Sequence, residues 1–284
     1  MQFTVLGASG FIGGRLASRL AENGHQVWRP SRNDLQSLDR RELGHVFYCI
    51  GEDDVSENSF NIADAHVGQL ANILKCRKFA SLTYLSSTRV YFGAPSANEE
   101  TPLHVFPDDK GGLFGVMKIA GEQLCFASNN PAVRAVRLST VIGFSPKGKS
   151  LLPTLIKDAF LRGRMCVSIA PQSSRDYIAI EDVIDILPHI AVEGKRRCYN
   201  VASGVNVRLA EIVRLIGSEF PSECDWQPNA PTVAFPVIDI SRIQTEFSFS
   251  PRSALDALVV ACAEFRRCLR LSLEIQASVL SDPR

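Results

Sequence analysis

Nothing in the chain approaches the ~20 consecutive apolar residues that a membrane-spanning helix needs, so no span is expected along its 284 residues. Charge of one sign is lacking too. The 31 basic residues are balanced by 30 acidic ones, for a formal net charge of +1, and they form no stripe or run. A nucleic-acid or membrane-surface partner calls for such a basic footprint, so neither is expected. The first residues lack the basic segment and cleavage pattern of a secretory signal, and the expected location is the cytoplasm.

Internal repeats and low-complexity segments are also missing. Eight cysteines are present (Cys49, Cys76, Cys125, Cys166, Cys198, Cys224, Cys262 and Cys268), but no C-x-x-C pair and no histidine at metal-ligand spacing. They read as free thiols of a reducing compartment, and no metal site is expected. No Asp–His–Ser order points to a hydrolase triad. His25, His66, His104 and His189 read as turn, helix or loop residues, and Trp28 and Trp226 as packing residues.

What is present is an alternation of short apolar runs with amphipathic stretches. It starts at MQFTVLGASGFIGG. Phe3, Val5 and Leu6 read as a buried parallel strand. Gly7, Gly10 and Gly13 follow, then an apolar helical pattern through Phe11, Ile12, Leu16 and Leu20. Strand, glycine turn and helix form the context of a dinucleotide-binding fingerprint. Gly7 permits the tight turn, Gly10 lets a pyrophosphate approach the backbone, and Gly13 allows close packing of the helix. Backbone groups of Gly7, Ser9, Gly10, Phe11 and Ile12 are the expected pyrophosphate contacts, because a helix N-terminus presents free N–H groups and a positive dipole end.

The pattern predicts strands at 26–29, 45–50, 81–86 and 133–138, with no more than a minimal strand within 31–44. A long helix is expected over 60–78, with Ile62, Val67, Leu70, Ile73 and Leu74 as its apolar stripe. A loop is expected over 92–112 and a helix over 113–127. Past Gly143 come helices near 150–162, 180–193, 207–219 and 253–270, a strand at 198–201 and an irregular, proline-rich stretch at 221–236. The expected fold is α/β: a doubly wound parallel Rossmann sheet over 1–143, with 144–284 mainly a small substrate lobe and elements free to interleave. At the end of the second strand, where an acid would bind the ribose of NAD, stand Ser31 and Arg32. A hydroxyl and a guanidinium suit a ribose phosphate, so NADP is favoured over NAD.

Seven stretches together resemble one family, in its order. They are GASGFIG, YLSSTRVY (Tyr84–Tyr91), EETPL (Glu99–Leu103), RLSTVIG (Arg137–Gly143), RDYIAIEDV (Arg175–Val183), YNVASG (Tyr199–Gly204) and DISRIQTEFSFSP (Asp239–Pro251). The family is the extended short-chain dehydrogenase/reductases: nucleotide-sugar epimerases, dehydratases and ketoreductases. The resemblance implies hydride transfer between a sugar carbon and a nicotinamide, helped by a tyrosine acid/base, a lysine four residues later and a serine on the substrate oxygen. It places Ser87 at the serine, with Thr88 beside it on the substrate, and Lys118 at the lysine, where it also holds the cofactor ribose. It implies substrate contacts from Arg175 and Tyr177, with a structural ion pair of Arg175 to Asp176, Glu181 or Asp182 as the alternative. It also implies helix pairing between two copies as a homodimer.

The chain departs from the pattern at the tyrosine. In GGLFGVMKIAGEQL that position is Phe114, which packs like tyrosine but exchanges no proton. Three readings stand open. The chain binds NAD(P) without catalysis, as a sensor or partner protein. It is an enzyme with another acid/base, for which Tyr91, Thr88 or a lysine-bound water are candidates. Or Phe114 is an inactivating substitution. The second phosphate-binding arginine of the family is also missing from WQPNAPTVAFP, where Asn229 stands near its place.

Overall fold

The computed structural model describes residues 1–51, 59–76, 78–105, 112–145, 148 and 150–280. Part of the loop expected over 92–112, Gly111 included, lies outside them. In chain order the elements are β1 (Gln2–Leu6), α1 (Phe11–Glu22), β2 (Gln26–Trp28), a 3₁₀ helix (Arg32–Arg40), β3 (His45–Tyr48), α2 (Ser59–Ala63), a π turn (Asp64–Gly68), α3 (Gln69–Cys76), β4 (Ser81–Ser87), a 3₁₀ turn (Thr88–Tyr91), α4 (Gly112–Ala127), β5 (Val133–Leu138) and β6 (Thr140–Ile142). Then follow α5 (Leu151–Arg162), β7 (Arg164–Val167), β8 (Ser174–Ala179), α6 (Ile180–Glu193), β9 (Cys198–Val201), β10 (Asn206–Arg208), α7 (Leu209–Glu219), β11 (Glu223–Trp226), α8 (Ser241–Phe247) and α9 (Ala254–Leu280).

Six of these strands form one sheet in the order β2-β1-β3-β4-β5-β9, parallel at every pairing. This is the doubly wound α/β fold expected. Both sheet faces are covered, which is why β1, β3 and β4 are rich in buried apolar or small residues, whereas β5 also buries Arg134 and Arg137. Leu16 and Leu20 of α1, Ile184 and Leu187 of α6 and Ile243 of α8 close one face. Leu38, Leu70 and Ile73, with Cys125 of α4, close the other. The outermost strand of the usual doubly wound order is replaced by the 3₁₀ helix at Arg32–Arg40. Its sequence, RNDLQSLDR, has no apolar run to bury.

Chain order reverses between β1 and β3, since β2 lies to one side of β1 and β3 to the other. Ligands of open α/β sheets bind at such a switch point, beyond the carboxyl ends of the strands. Here those ends are Gly7 and the Cys49–Gly51 stretch.

The chain beyond Gly143 contributes to both layers. Helix α6 and strand β9 complete the main sheet, while β10-β8-β6 and the parallel pair β11-β7 make a second unit. Its core joins Leu155, Ile156, Tyr177, Ile212, Ile216, Leu258 and Phe265. A single residue, Ser139, separates β5 of the main sheet from β6 of the second. A Cβ at Gly143 would lie 2.8 Å from the Phe11 ring and 2.7 Å from Ile180, so the two units are packed tightly at that crossing.

Three local expectations change. The helix expected over 60–78 is broken by the π turn at Asp64–Gly68. Its i→i+5 bonding inserts one extra residue into the turn, so Ala65 and His66 turn inward and Val67 is only half-buried. The irregular stretch 221–236 contains β11, which pairs in parallel with β7 from Glu223↔Arg164 to Trp226↔Val167. The last helix runs on to Leu280, because no glycine or proline interrupts it before Pro283.

Candidate active site

The glycine turn has the geometry of a phosphate cradle. Gly7 has φ of +81°, which a residue with a Cβ rarely adopts. A Cβ there would also sit 2.8 Å from the Cys49 carbonyl and the Ile50 amide. The first strand thus leaves the sheet in backbone contact with the end of β3, and glycine alone fits. A Cβ at Gly13 would lie 2.4 Å from the Gly7 carbonyl oxygen, so the close approach of α1 is to the turn. The Gly10 amide donates to the Gly7 carbonyl at 3.0 Å and is engaged within the turn. The amides of Phe11 and Ile12 open α1, where no intrahelical acceptor exists, and Ser9 is exposed beside them. This backbone cradle fits the pyrophosphate of a dinucleotide.

At the end of β2, Ser31 caps the 3₁₀ helix. Its hydroxyl and amide donate to Asp34 Oδ2 at 2.7 and 2.8 Å. Those hydrogen bonds hold the Asp34 carboxyl below its ordinary range. Arg32 is exposed next to it.

The carboxyl end of β4 and the first turns of α4 bring Ser87, Phe114 and Lys118 together. Ser87 Oγ accepts from the Arg89 amide at 3.2 Å, which caps the turn at Thr88–Tyr91. Lys118 is 6% exposed, and its Nζ donates to the Leu85 carbonyl at 2.6 Å. The same Nζ lies 5.5 Å from the centre of the Phe114 ring and 5.2 Å from that of Tyr84. The i,i+4 spacing of Phe114 and Lys118 puts both on the helix face that meets β4. Thr88, the next residue after Ser87, is buried.

Two residues at this site carry no signal in the sequence alone. The guanidinium of Arg89 lies over the Phe114 ring, 4.9 Å from its centre. His66 meets the same ring edge-on at 5.7 Å, and its Nδ1 is 3.4 Å from the Tyr84 hydroxyl. His66 is fully buried only because of the π turn, a break in periodicity that its residues do not announce.

Tyr91 is not a free acid/base. It is fully buried; its hydroxyl donates to Asn200 Oδ1 at 2.8 Å and accepts from Arg137 at 2.7 Å. Burial pushes its pKa well above the ordinary tyrosine value. It belongs to a polar network beneath the site. Arg137 is bidentate to Glu122, at 2.7 to 3.2 Å, and Ser86 donates to Glu122 at 2.5 Å. Asn200 continues the network to the carbonyls of Ala97 and Asp239. Burial pulls the Arg137 pKa down, but the Glu122 carboxylate outweighs it and the net shift is upward. We expect Tyr91→Phe to lower unfolding free energy by about 1–3 kcal/mol, the cost of orphaning buried polar partners. Turnover per folded molecule should stay unchanged. Urea denaturation beside an activity assay checks this, and a collapse of turnover in a fully folded variant would return Tyr91 to the chemistry.

In the second unit the two expected substrate residues part. Arg175 is half-buried, and its guanidinium lies 5.4 Å from the centre of the Phe235 ring. Among the described residues it makes no ion pair with Asp176, Glu181 or Asp182. Asp176 accepts from Ser203 and Val205, and Asp182 pairs with Arg252. Tyr177 is packed in the second core, 2% exposed, and burial raises its pKa. Phe235 meets Phe92 at 5.6 Å. Phe92 directly follows the turn that carries Arg89, so this aromatic pair joins the second unit to the Ser87 end of the sheet.

Among the described residues no His, Cys, Asp or Glu cluster could hold a metal, and no described helix is long and apolar enough to cross a membrane. No protein of curated function matches the chain. Several solved structures share its fold. An NAD-dependent NDP-hexosamine 5,6-dehydratase of tunicamycin biosynthesis, TunA, superposes with a TM-score of 0.84 at 18% identity, over 94% of this chain and 98% of that one. The UDP-glucuronic acid 4-epimerase of Bacillus cereus, solved with UDP-glucuronic acid and NAD, gives 0.79 at 18% identity over 94% and 100%. RMD of Pseudomonas aeruginosa, complexed with NADPH, gives 0.77 at 21% over 92% and 97%. The sequence profile of the NAD dependent epimerase/dehydratase family matches residues 3–202. That match spans more than half of the chain, and this chain belongs to that family.

Proposed function

We propose that the protein is an NAD(P)-dependent enzyme of the epimerase, dehydratase or ketoreductase type, acting on a nucleotide-linked sugar. The observation that carries this reading is that the Gly7–Gly13 turn follows β1 and Ser87 ends β4, parallel strands with only β3 between them, so that both stand at the carboxyl edge of the sheet, with Lys118 bonded to the Leu85 carbonyl near Ser87. In this reading Gly7, Ser9, Gly10, Phe11, Ile12 and Gly13 line the pyrophosphate, and Lys118 holds the nicotinamide ribose. When bound, the nicotinamide accepts or donates a hydride. Ser87 orients and polarises the sugar oxygen, and the buried Lys118 supplies fixed positive charge beside it. Phe114 removes the usual route for the hydroxyl proton, which in this reading leaves to solvent through a lysine-bound water or by relay through the Thr88 hydroxyl.

The nucleotide lies on the second unit. Arg175 suits a phosphate, and the Phe92–Phe235 pair offers an aromatic wall. NADP is favoured over NAD by the exposed Arg32 at the end of β2. We place the cofactor-binding part at 1–143 and the substrate lobe mainly at 144–284, and we take the working form to be a cytoplasmic homodimer paired through α3 and α4. The competing reading, a sensor or partner protein that binds NAD(P) without catalysis, draws on the absent hydroxyl at Phe114.

Calorimetric titration with NADP and with NAD tests both readings, followed by addition of UDP-sugars while the reduced nicotinamide is monitored optically. Tight NADP binding, weaker NAD binding and a slow absorbance change with sugar are expected. Heat from sugar with no absorbance change would favour the non-catalytic reading. No heat from either dinucleotide would sink both.

A further inference from the structure

Beyond Gly143, Arg164, Arg242 and Arg252 each bind a carboxylate. Arg175 does not. Among the described residues its guanidinium makes no hydrogen bond and no ion pair, although the residue is half-buried. Its neighbour Asp176 faces the other side of β8 and is taken by Ser203 and Val205. The guanidinium lies instead over the Phe235 ring, 5.4 Å from its centre. That ring leaves a fixed backbone. The Phe235 amide donates to the Ser174 carbonyl at 3.2 Å, its carbonyl accepts from Asn206 Nδ2 at 2.8 Å, and Ala234 bridges Ser174 in parallel. Arg175 is held from its own side by the pairing of β8 with Val207 of β10. The stretch from Trp226 to Pro236 carries no lysine or arginine. It brings a ring to Arg175 and no second charge.

We propose that Phe235 is a positioning residue for a diphosphate site at Arg175, to which it gives a fixed orientation and no counter-charge. A carboxylate beside the guanidinium would occupy its N–H donors and cancel its charge. An aromatic face attracts the same cation through the ring quadrupole and accepts none of its in-plane N–H bonds. The guanidinium thus stays open to an anion while its long side chain is already ordered, which reduces the entropy lost when the anion binds. The inference rests on the nucleotide-sugar reading and adds to it the residue that prepares the phosphate contact.

The test is calorimetric titration of UDP into the NADP-saturated protein, with Arg175→Gln, Phe235→Leu, Phe235→Tyr and the double variant of Arg175→Gln with Phe235→Leu beside it. Arg175→Gln should weaken UDP at least about tenfold, the scale of a lost charge-assisted contact. Phe235→Leu should weaken it roughly two- to fivefold, the scale of a cation–π contact, and Phe235→Tyr should keep the affinity. In the Arg175→Gln background Phe235→Leu should cost nothing further, because residues that act through one contact do not add. A UDP affinity untouched by Arg175→Gln would overturn the phosphate site. A Phe235→Leu loss of equal size in both backgrounds would place the ring on the base or in the fold and overturn its action through Arg175, and no loss in either would do the same. These results leave the nucleotide-sugar reading standing. No UDP binding by the unchanged protein would overturn that reading as well.

Discussion

Phe114→Tyr should raise the rate of hydride transfer with a nucleotide sugar by roughly 10²–10⁴-fold, the usual contribution of a positioned acid/base. The site is otherwise prepared for it. The Phe114 side chain is packed at 8% exposure, one helical turn from Lys118, whose Nζ is 5.5 Å from the ring. A hydroxyl on that ring would sit in the field of Lys118 and Arg89. Nearby positive charge favours tyrosinate and brings its pKa toward working pH. The gain should therefore appear in the turnover rate, with a rise in rate as pH passes through the new tyrosine pKa. Single-turnover measurement of nicotinamide reduction by the nucleotide sugar, across pH, checks it for both proteins. Equal, appreciable activity in both would mean that another group moves the proton. Silence in both, with cofactor and sugar bound, would mean that the chain has ceased to be a catalyst.

The second large effect lies in stability. Glu122→Ala should lower the unfolding free energy by about 3–5 kcal/mol, the cost of leaving a buried charge without its partner. Glu122 and Arg137 are 1% and 5% exposed at the side chain, and the arginine is held by three contacts to that one carboxylate. Removing the carboxylate strands the guanidinium and the Ser86 hydroxyl together. The double variant Glu122→Leu with Arg137→Met should recover much of the loss, because apolar replacement of a whole buried pair is often close to neutral. Urea denaturation of the three proteins decides. Equal losses in the single and double variants would show that the loss comes from packing and not from the orphaned charge. The network also spans α4, β4, β5 and β9, so the single variant should weaken cofactor binding through the displaced turn at Thr88–Tyr91.

Much of this protein can be read from residues that are neighbours in the chain. The strand, glycine turn and helix at 2–22, the run of parallel strands, and the spacing of Phe114 and Lys118 are all local. A strand's period, a glycine's missing Cβ and a helix's i,i+4 face act within a few residues. The phenylalanine four residues before Lys118, where the family resemblance implies a tyrosine, is legible for the same reason.

The surroundings of that position were decided by the tertiary structure. Tyr91 looks like a spare hydroxyl in the sequence, yet Asn200, more than a hundred residues away, ties it down once β9 joins the sheet beside β5. His66 reaches Phe114 only because a π turn rotates the helix that carries it. Arg89 lies on the same ring only because β4 and α4 pack against each other. These contacts depend on strand order and helix placement, which are set by the burial of whole faces rather than by any short pattern. The sequence by itself determined a strand, glycine turn and helix of the dinucleotide-binding kind, and a phenylalanine where the family resemblance implies a proton-exchanging tyrosine. The tertiary structure determined which groups surround the place where that hydroxyl would be.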